Sequence, residues 1–600
     1  MQTAHNHKQD AAISRQLDAI HSLMHEGEFQ QAIKLLSPIV QAMDTTSPTS
    51  QEVFALLLVA DAQRFSGLIT DAYKNYVVAA ELDPNQADKI RPHILKCLPE
   101  METILDKPIF QQHLLEYLEE KTLHNRAIDP HATKLLVRNY DLENDQAEID
   151  FNAIICDPLL LACLKHLVLA NPYVENFIQM LRQELFQLAV ENGTPNELLP
   201  MIIAMAEHAE LVEYASPVSE NEKVLLLGLQ TLIETHLAAN GAAEEIIEPL
   251  LLFLMYEPIH KSTVAQYLKE KHYQEWPAPV QNLFREILTN PKKEARLAAT
   301  IPSLANIESD VSLKVMEQYQ EHPYPRWRDV FATSKKLPYL DIYPELRGRV
   351  ATKKLHRQKL NCLIAGCGTG HQPIWLAANC KNVDILALDL SRPSIAYGMR
   401  QGAALGHTKS IKFVQGDILD LDQLDRQFEV IQCSGVLHHM EDPELGLERI
   451  LARLADEGLL MLGLYSRTAR DVLGINHIRD NQAATTLEEL RAQRREMLAD
   501  PTHRLLSSRD FYTTSECRDL LNHVQEHQFD LSEIKTLLEK YGLTFLGFNG
   551  LDKVVTNEYK KQYPSDPNLL SLDNWRLFEQ KNPHIFKGMY QFHCQKAPSH

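Results

Sequence analysis

Leu360-Asn-Cys-Leu-Ile-Ala365-Gly366-Cys367-Gly368-Thr369-Gly370-His371 is the stretch on which the fold turns. Its first six residues read as a buried strand, and glycine then takes every second position. That spacing lets the chain turn tightly and lay bare backbone against a ligand. A dinucleotide fingerprint would need glycine at 371, where His371 stands, so a pyrophosphate cradle is disfavoured.

Outward from this loop, short apolar runs alternate with helical patterns. Val383–Leu388, Ile411–Val414, Phe428–Cys433 and Gly458–Gly463 supply four more strands. Strands alternating with helices predict a parallel, doubly wound sheet with its ligand at the carboxyl ends of the strands. Asp389 closes the second strand, nineteen residues after Gly370, where a carboxylate can take both ribose hydroxyls. Gly416-Asp417-Ile418 closes the third and offers a second carboxylate to an adenine amino group.

Four such features in order, at successive strand ends, resemble the class I S-adenosylmethionine-dependent methyltransferases over Leu360–Ser466. The loop 366–370 looks like their first motif, Asp389 like their ribose-binding acid and Asp417 like their adenine-side acid. Gly435-Val-Leu-His-His-Met-Glu-Asp-Pro443 is similar to the loop after the fourth strand in small-molecule and ubiquinone-type members. The resemblance implies S-adenosylmethionine as cofactor, held by Gly366, Cys367, Gly368, Gly370, Asp389, Leu390, Asp417, Ile418 and Ser434. A capped helix from Asp530, a stop at Gly542, a strand at 543–548 and a last strand from Gly588 to Cys594 complete that sheet. A long insertion, 467–530, interrupts it. In it Thr485-Thr-Leu-Glu488 reads as a helix cap, and Arg491, Arg494 and Arg495 read as a solvated helix face.

The whole chain is 600 residues with formal net charge -20, 44% hydrophobic and 23% charged. This is globular composition, enough for two to four domains, and its acidity argues against a nucleic-acid partner. Glycine is sparse, at 22 residues, which favours helix. Nine scattered cysteines form no CxxC pair, so neither a disulfide framework nor a zinc knuckle is expected. The polar start lacks an apolar signal core, and the best apolar run, 250–256, cannot span a bilayer. A cytoplasmic chain without a membrane anchor is expected.

The first half reads as helical pairs. His25-Glu-Gly27-Glu-Phe29-Gln-Gln-Ala32 is echoed forty residues later by Phe65-Ser-Gly67-Leu-Ile-Thr-Asp-Ala72, followed by Tyr76, Ala79 and Pro84. These offsets resemble tetratricopeptide repeats over 13–90, with Gln16 in a place where a large apolar residue is usual and a loop at 45–50. Two copies need more helices to complete a stack. Phe177, Leu181, Leu185 and Leu188 mark one, and Leu225, Leu229, Leu232 and Ile233 another, capped by Ser219 and Glu222 and stopped near Gly241. The expected organisation is multidomain: tetratricopeptide-like repeats (13–90), further helices (91–310), a linker (311–350), then an α/β doubly wound, Rossmann-like methyltransferase domain (351–600).

Methyl transfer from a sulfonium depends mainly on alignment and exclusion of water, with a base only where the nucleophile starts protonated. His438 and His439 are the candidates for acceptor handling, against a packing role. In Tyr319-Gln-Glu-His-Pro-Tyr324-Pro-Arg326-Trp327 the prolines hold the chain extended, so Tyr319, Tyr324, Arg326 and Trp327, with Tyr512 of the insertion, are candidate acceptor contacts. A docking strap for the helical half is the alternative. His523 and His527, four apart and so on one helix face near Cys517, are no His-Glu-x-x-His pair. No metal is expected, and they read as acceptor-pocket lining or as part of an ordinary capped helix. The leading expectation is methylation of a protein or peptide held by the repeats. The alternatives are a small-molecule acceptor with repeats used for assembly (a homo-oligomer included), or an inactive scaffold. Ser434-Gly435 lacks the Asp/Asn-Pro-Pro-aromatic clamp of adenine-N6 enzymes.

Overall fold

The computed structural model describes residues 17–596 except 18, 19, 21, 25, 102–104, 106, 107, 121–124, 145, 148, 149, 269, 270, 331, 333, 334, 347, 351–354, 356–358, 477–483 and 485. Gln16, His25 and Thr485 therefore lie outside the described residues. The chain divides into two compact units, Met1–Leu169 and Ala170–His600, so a boundary falls inside the expected 91–310 segment.

In the first unit, α1 (Phe29–Gln41), α2 (Ser50–Phe65) and α3 (Ile69–Leu82) follow one another through short turns. Gly27 and Gly67, at φ +81° and +84°, reverse the chain just before α1 and α3. Ala32 and Ala72 are fully buried in the first turns of these helices. Thr49 closes a capping box with Glu52 and starts α2 where the 45–50 loop ends. The forty-residue echo is thus a repeat of one turn-and-helix geometry.

In the second unit, α4 (Pro172–Asn192), α5 (Leu199–Leu211) and α6 (Glu220–Ala238) form a helical layer. On α4, Phe177, Leu181 and Leu185 are buried as read, and Leu188 is half-buried. That of α6 is not. Leu226, Ile233 and Leu237 are buried, while Leu225 and Leu232 are exposed. Residues 224–229 are apolar on almost every side, so their spacing marks the helix without marking its face. The expected linker also begins as a helix, α7 (Asp310–Glu321), capped by Ser309.

The sheet comprises β1 (Leu360–Ala365), β2 (Val383–Asp389), β3 (Ile411–Gln415), β4 (Phe428–Ser434), β5 (Leu454–Tyr465), β6 (Leu543–Phe548) and β7 (Met589–Lys596). Its order is β3-β2-β1-β4-β5-β7-β6. The first five strands are parallel, and β7 runs antiparallel between β5 and β6. Chain order reverses between β1 and β4, which opens a crevice at their carboxyl ends. Both sheet faces are covered by apolar clusters, around Leu363, Ile431 and Phe592 on one side and Cys362, Ile364 and Val430 on the other.

Four more helices frame the site: α8 (His371–Asn379), α9 (Leu487–Leu498), α10 (Thr514–Asn522) and α11 (Leu531–Lys540). The capping box of α9 is Thr486 with Glu489, one residue beyond the expected pair. Of its arginines, Arg495 is exposed as read and reaches the Val218 carbonyl, but Arg491 and Arg494 are buried. Arg494 is completely buried, donates to the Phe511 carbonyl at 3.0 Å and pairs with Glu175 of α4 at 3.2 Å. Arg491 donates to the Tyr214 and Tyr256 carbonyls at 2.9 and 2.6 Å. The start of α10 is held in the same layer: Glu213 accepts the Ser515 N–H at 2.9 Å and its hydroxyl at 2.7 Å. The insertion therefore fastens the helical layer of this unit to the sheet.

Candidate active site

At the crevice lies a cavity of about 600 Å³, within the size range of small-molecule sites. Its floor is the 366–368 loop. Gly366 N and Cys367 N both donate to Leu388 O, at 2.8 and 2.9 Å, which turns the loop over the end of β2. Gly366 has φ +78°, and a Cβ there would sit 2.2 Å from Val436 Cγ2. Gly368 has φ +50°, and a Cβ there would stand 2.8 Å from Tyr324 O. Only glycine fits both places. Gly370, also at positive φ, starts α8 but does not line the cavity.

Asp389 Oδ2 accepts the Gly368 N–H at 2.7 Å and Oδ1 the Ser391 N–H at 2.9 Å. Burial raises its carboxyl above the ordinary aspartate range, against the pull of these backbone donors. Leu390, Asp417 and Ile418 continue the wall, and Asp417 Oδ1 accepts the Leu419 N–H at 3.0 Å. Cys367 also lines it, its thiol pushed well up by burial and then by Asp389. Ser434, at the end of β4, faces Gly463 of β5, where a Cβ would come within 2.1 Å of the hydroxyl. Bare backbone beside a ribose-type acid and an adenine-side acid suits S-adenosylmethionine, and a Cβ at 366 or 368 would fill that cradle.

Tyr319 and Tyr324, ring centroids 6.1 Å apart, line the cavity from the segment before the sheet. The other expected acceptor contacts do not. Trp327 stands behind the glycine loop, its indole N–H donating to Thr369 O at 3.0 Å. Arg326 reaches Glu210 at 3.5 Å and lies over the Tyr397 ring. Tyr512 is fully buried and donates to Leu506 O at 2.9 Å. The segment is thus both things weighed for it: its tyrosines face the cavity, and its arginines, with Arg328 also on Glu210, strap down the helical layer.

The two histidines separate. His438 does not line the cavity. Its Nδ1 accepts the Tyr465 N–H at 3.3 Å, its ring stacks on Tyr465 at 3.8 Å, and burial, with His439 and Arg470, holds it neutral, well below the usual histidine range. It is a packing residue. His439 does line the cavity, its Nδ1 2.8 Å from the Gln525 carbonyl and its ring stacked on His523 at 3.5 Å.

Behind His439 the insertion contributes residues that the sequence did not single out. Asp519, at 2% exposure, accepts the Tyr319 hydroxyl at 2.7 Å and the Tyr465 hydroxyl at 2.8 Å. Tyr465 closes β5 at the carboxyl edge where ligands of such sheets sit, the one sequence signal that pointed to it. α10 ends at Asn522, so His523 and His527 do not share a helix face as expected. His439, Asp519 and His523 bring metal-type ligand atoms within 4.8 Å of one another. However, His523 Nδ1 accepts the Gln525 N–H at 3.1 Å. Its proton therefore sits on Nε2, which leaves no lone pair for an ion. The cluster is a hydrogen-bonding network.

Strand order, glycine loop and the two strand-end acids together define a class I S-adenosylmethionine-dependent methyltransferase domain. Residues 363–458 match the methyltransferase domain family. Among curated proteins, an uncharacterized Synechococcus protein is 30% identical over 259 residues, covering 39% of this chain and 60% of that one. A probable (S)-tetrahydroprotoberberine N-methyltransferase of Papaver bracteatum is 25% identical over 100 residues, 17% of this chain and 27% of that one. The chain thus spans less than two thirds of the length of either relative. Among solved structures, PKMT2 of Rickettsia typhi in complex with AdoHcy is 15% identical at TM-score 0.29, over 39% of this chain and 48% of that one. Magnesium protoporphyrin IX methyltransferase of Synechocystis is 12% identical at TM-score 0.26, over 49% and 100%. No helix among the described residues is long and apolar enough to cross a membrane.

Proposed function

We propose that this chain is an S-adenosylmethionine-dependent methyltransferase whose acceptor is a protein or peptide side chain recruited by the N-terminal helices. The observation that carries the reading is the bare 366–368 backbone hydrogen-bonded to Asp389 on the floor of a 600 Å³ cavity. The cofactor, when bound, supplies a methyl group on a cationic sulfur. The chain's own residues do the rest: the glycine loop and Asp389 orient, Asp417 and Ile418 hold the adenine side, and Tyr319 and Tyr324 shut out water.

Recruitment rests on a separate observation. The first unit leaves Leu35, Phe54, Phe65 and Leu68 exposed, apolar groups of the kind a docking surface offers. A small-molecule acceptor is the second reading, favoured by a cavity volume within the range of small-molecule sites. Incubation of the chain with labelled S-adenosylmethionine and a lysate split by size separates them. Label in macromolecules, reduced by Leu35→Ser with Phe65→Ser, supports the protein acceptor. Label confined to small molecules refutes it.

A further inference from the structure

Resting on the methyltransferase reading, we propose that the acceptor atom is an amine nitrogen, received by the paired phenol oxygens of Tyr319 and Tyr465 that Asp519 holds as hydrogen-bond acceptors. The argument is an account of protons. Both hydroxyls donate to Asp519, at 2.7 and 2.8 Å, one to each carboxylate oxygen. A phenol has one proton and two lone pairs, so each oxygen can only accept from anything else it meets. Tyr319 already takes one such bond, from His523 Nε2–H at 3.1 Å, the tautomer that Gln525 fixes. Burial, and then the Asp519 charge, hold both phenols well above their ordinary range, so they stay protonated donors to the carboxylate.

Tyr319 and Tyr465 both line the cavity, and with one Tyr319 lone pair taken by His523 each oxygen still keeps a lone pair for a donor, so the pair matches a group with two. A primary amine supplies two N–H bonds, and placing both on phenol oxygens leaves the nitrogen lone pair as its remaining direction. A hydroxyl supplies one donor and would leave an oxygen unmatched, and a carboxylate supplies none. No Lys or Arg is among the described lining residues, so an anionic acceptor finds no cation there. Arg470 lies over the Tyr465 ring but is paired with Glu526 at 3.0 Å and does not line the cavity. In the transfer, the nitrogen lone pair forms the N–C bond and the C–S electron pair leaves with sulfur as a thioether. A free alkylamine starts as the ammonium, so its proton passes to water before the lone pair attacks. Positive charge then moves from sulfonium to alkylammonium, and no side chain need take a proton in the transfer itself. Asp519, a positioning residue behind the two tyrosines, faces the growing charge.

The test is calorimetric titration of n-butylamine, 1-butanol and butyrate into the full chain saturated with S-adenosylhomocysteine. The expected result is amine binding at least ten times tighter than alcohol, with butyrate weaker still. Tyr465→Phe and Asp519→Asn should each weaken amine binding fivefold or more while S-adenosylhomocysteine affinity stays unchanged. Equal binding of amine and alcohol, or unchanged amine binding in a variant that keeps the nucleoside, overturns the proposal. Should Asp519→Asn not fold, Tyr465→Phe, which keeps the ring, decides alone. Failure of the unmodified chain to bind S-adenosylhomocysteine strikes the methyltransferase reading instead.

Discussion

Asp389 Oδ2 and the Gly368 N–H are 2.7 Å apart, so the acid expected to grip the cofactor's sugar also fixes the loop expected to carry its methionine. Hydrogen bonds to a charged group are worth about 1.5–3 kcal/mol each. Asp389→Ala removes two such bonds and any made by the ligand. Its expected effect is a loss of S-adenosylhomocysteine affinity of roughly a hundredfold or more, read by calorimetry. Unchanged affinity would remove Asp389 from the cofactor site.

Gly368→Ala tests the same floor sterically. The new Cβ would meet Tyr324 O at 2.8 Å at a φ of +50°. Crowding of this kind costs about 1–3 kcal/mol. Cofactor affinity should fall tenfold or more, and the melting temperature by a few degrees, in one calorimetric series.

His438 makes a prediction about pH. Its folded-state proton affinity is depressed, chiefly by burial, below the ordinary 6.5. Below pH 6.5 the unfolded chain takes a proton there that the folded chain refuses, so stability is full above 6.5 and declines as pH falls. One such group contributes a slope of about 1.4 kcal/mol per pH unit. Denaturant titrations between pH 7 and 5 should show a shallower decline in His438→Gln; an identical slope would contradict its buried neutral state.

Arg494→Ala should be severely destabilising without touching the cavity. It strands the Glu175 carboxylate and the Ala215 and Phe511 carbonyls in the interior. Breaking a buried pair in this way costs about 3–5 kcal/mol. Differential scanning calorimetry should register a large drop in melting temperature, whereas an exposed arginine would give almost none.

The cofactor side was legible because each of its parts is local. A short apolar run, a glycine or acid at its end and a helix after it suffice, and β1 begins and ends where its residues say. Gly366, Gly368, Asp389 and Asp417 stand at or just past the strand ends and line the cavity. The acceptor side is made by long-range pairs. Tyr319 and Asp519 lie two hundred positions apart, and nothing near either names the other. Tyr512 was selected and Asp519 passed over because a buried carboxylate and a surface one look alike until the fold joins them. Arg491 and Arg494 misled for the same reason: helical spacing of charge is identical whether its partner is water or Glu175. On α6 the hydrophobic run was too continuous to show which side faces inward.

The two ends of the cavity are thus built from different material. The strand tips alone furnish the donor end, while the acceptor end depends on Asp519 and His523 from the inserted segment, pinned through Glu213 to the helical layer. If the proposed reading holds, grafting another insertion between β5 and β6 would change which nucleophile is received and leave the methyl-donor end untouched.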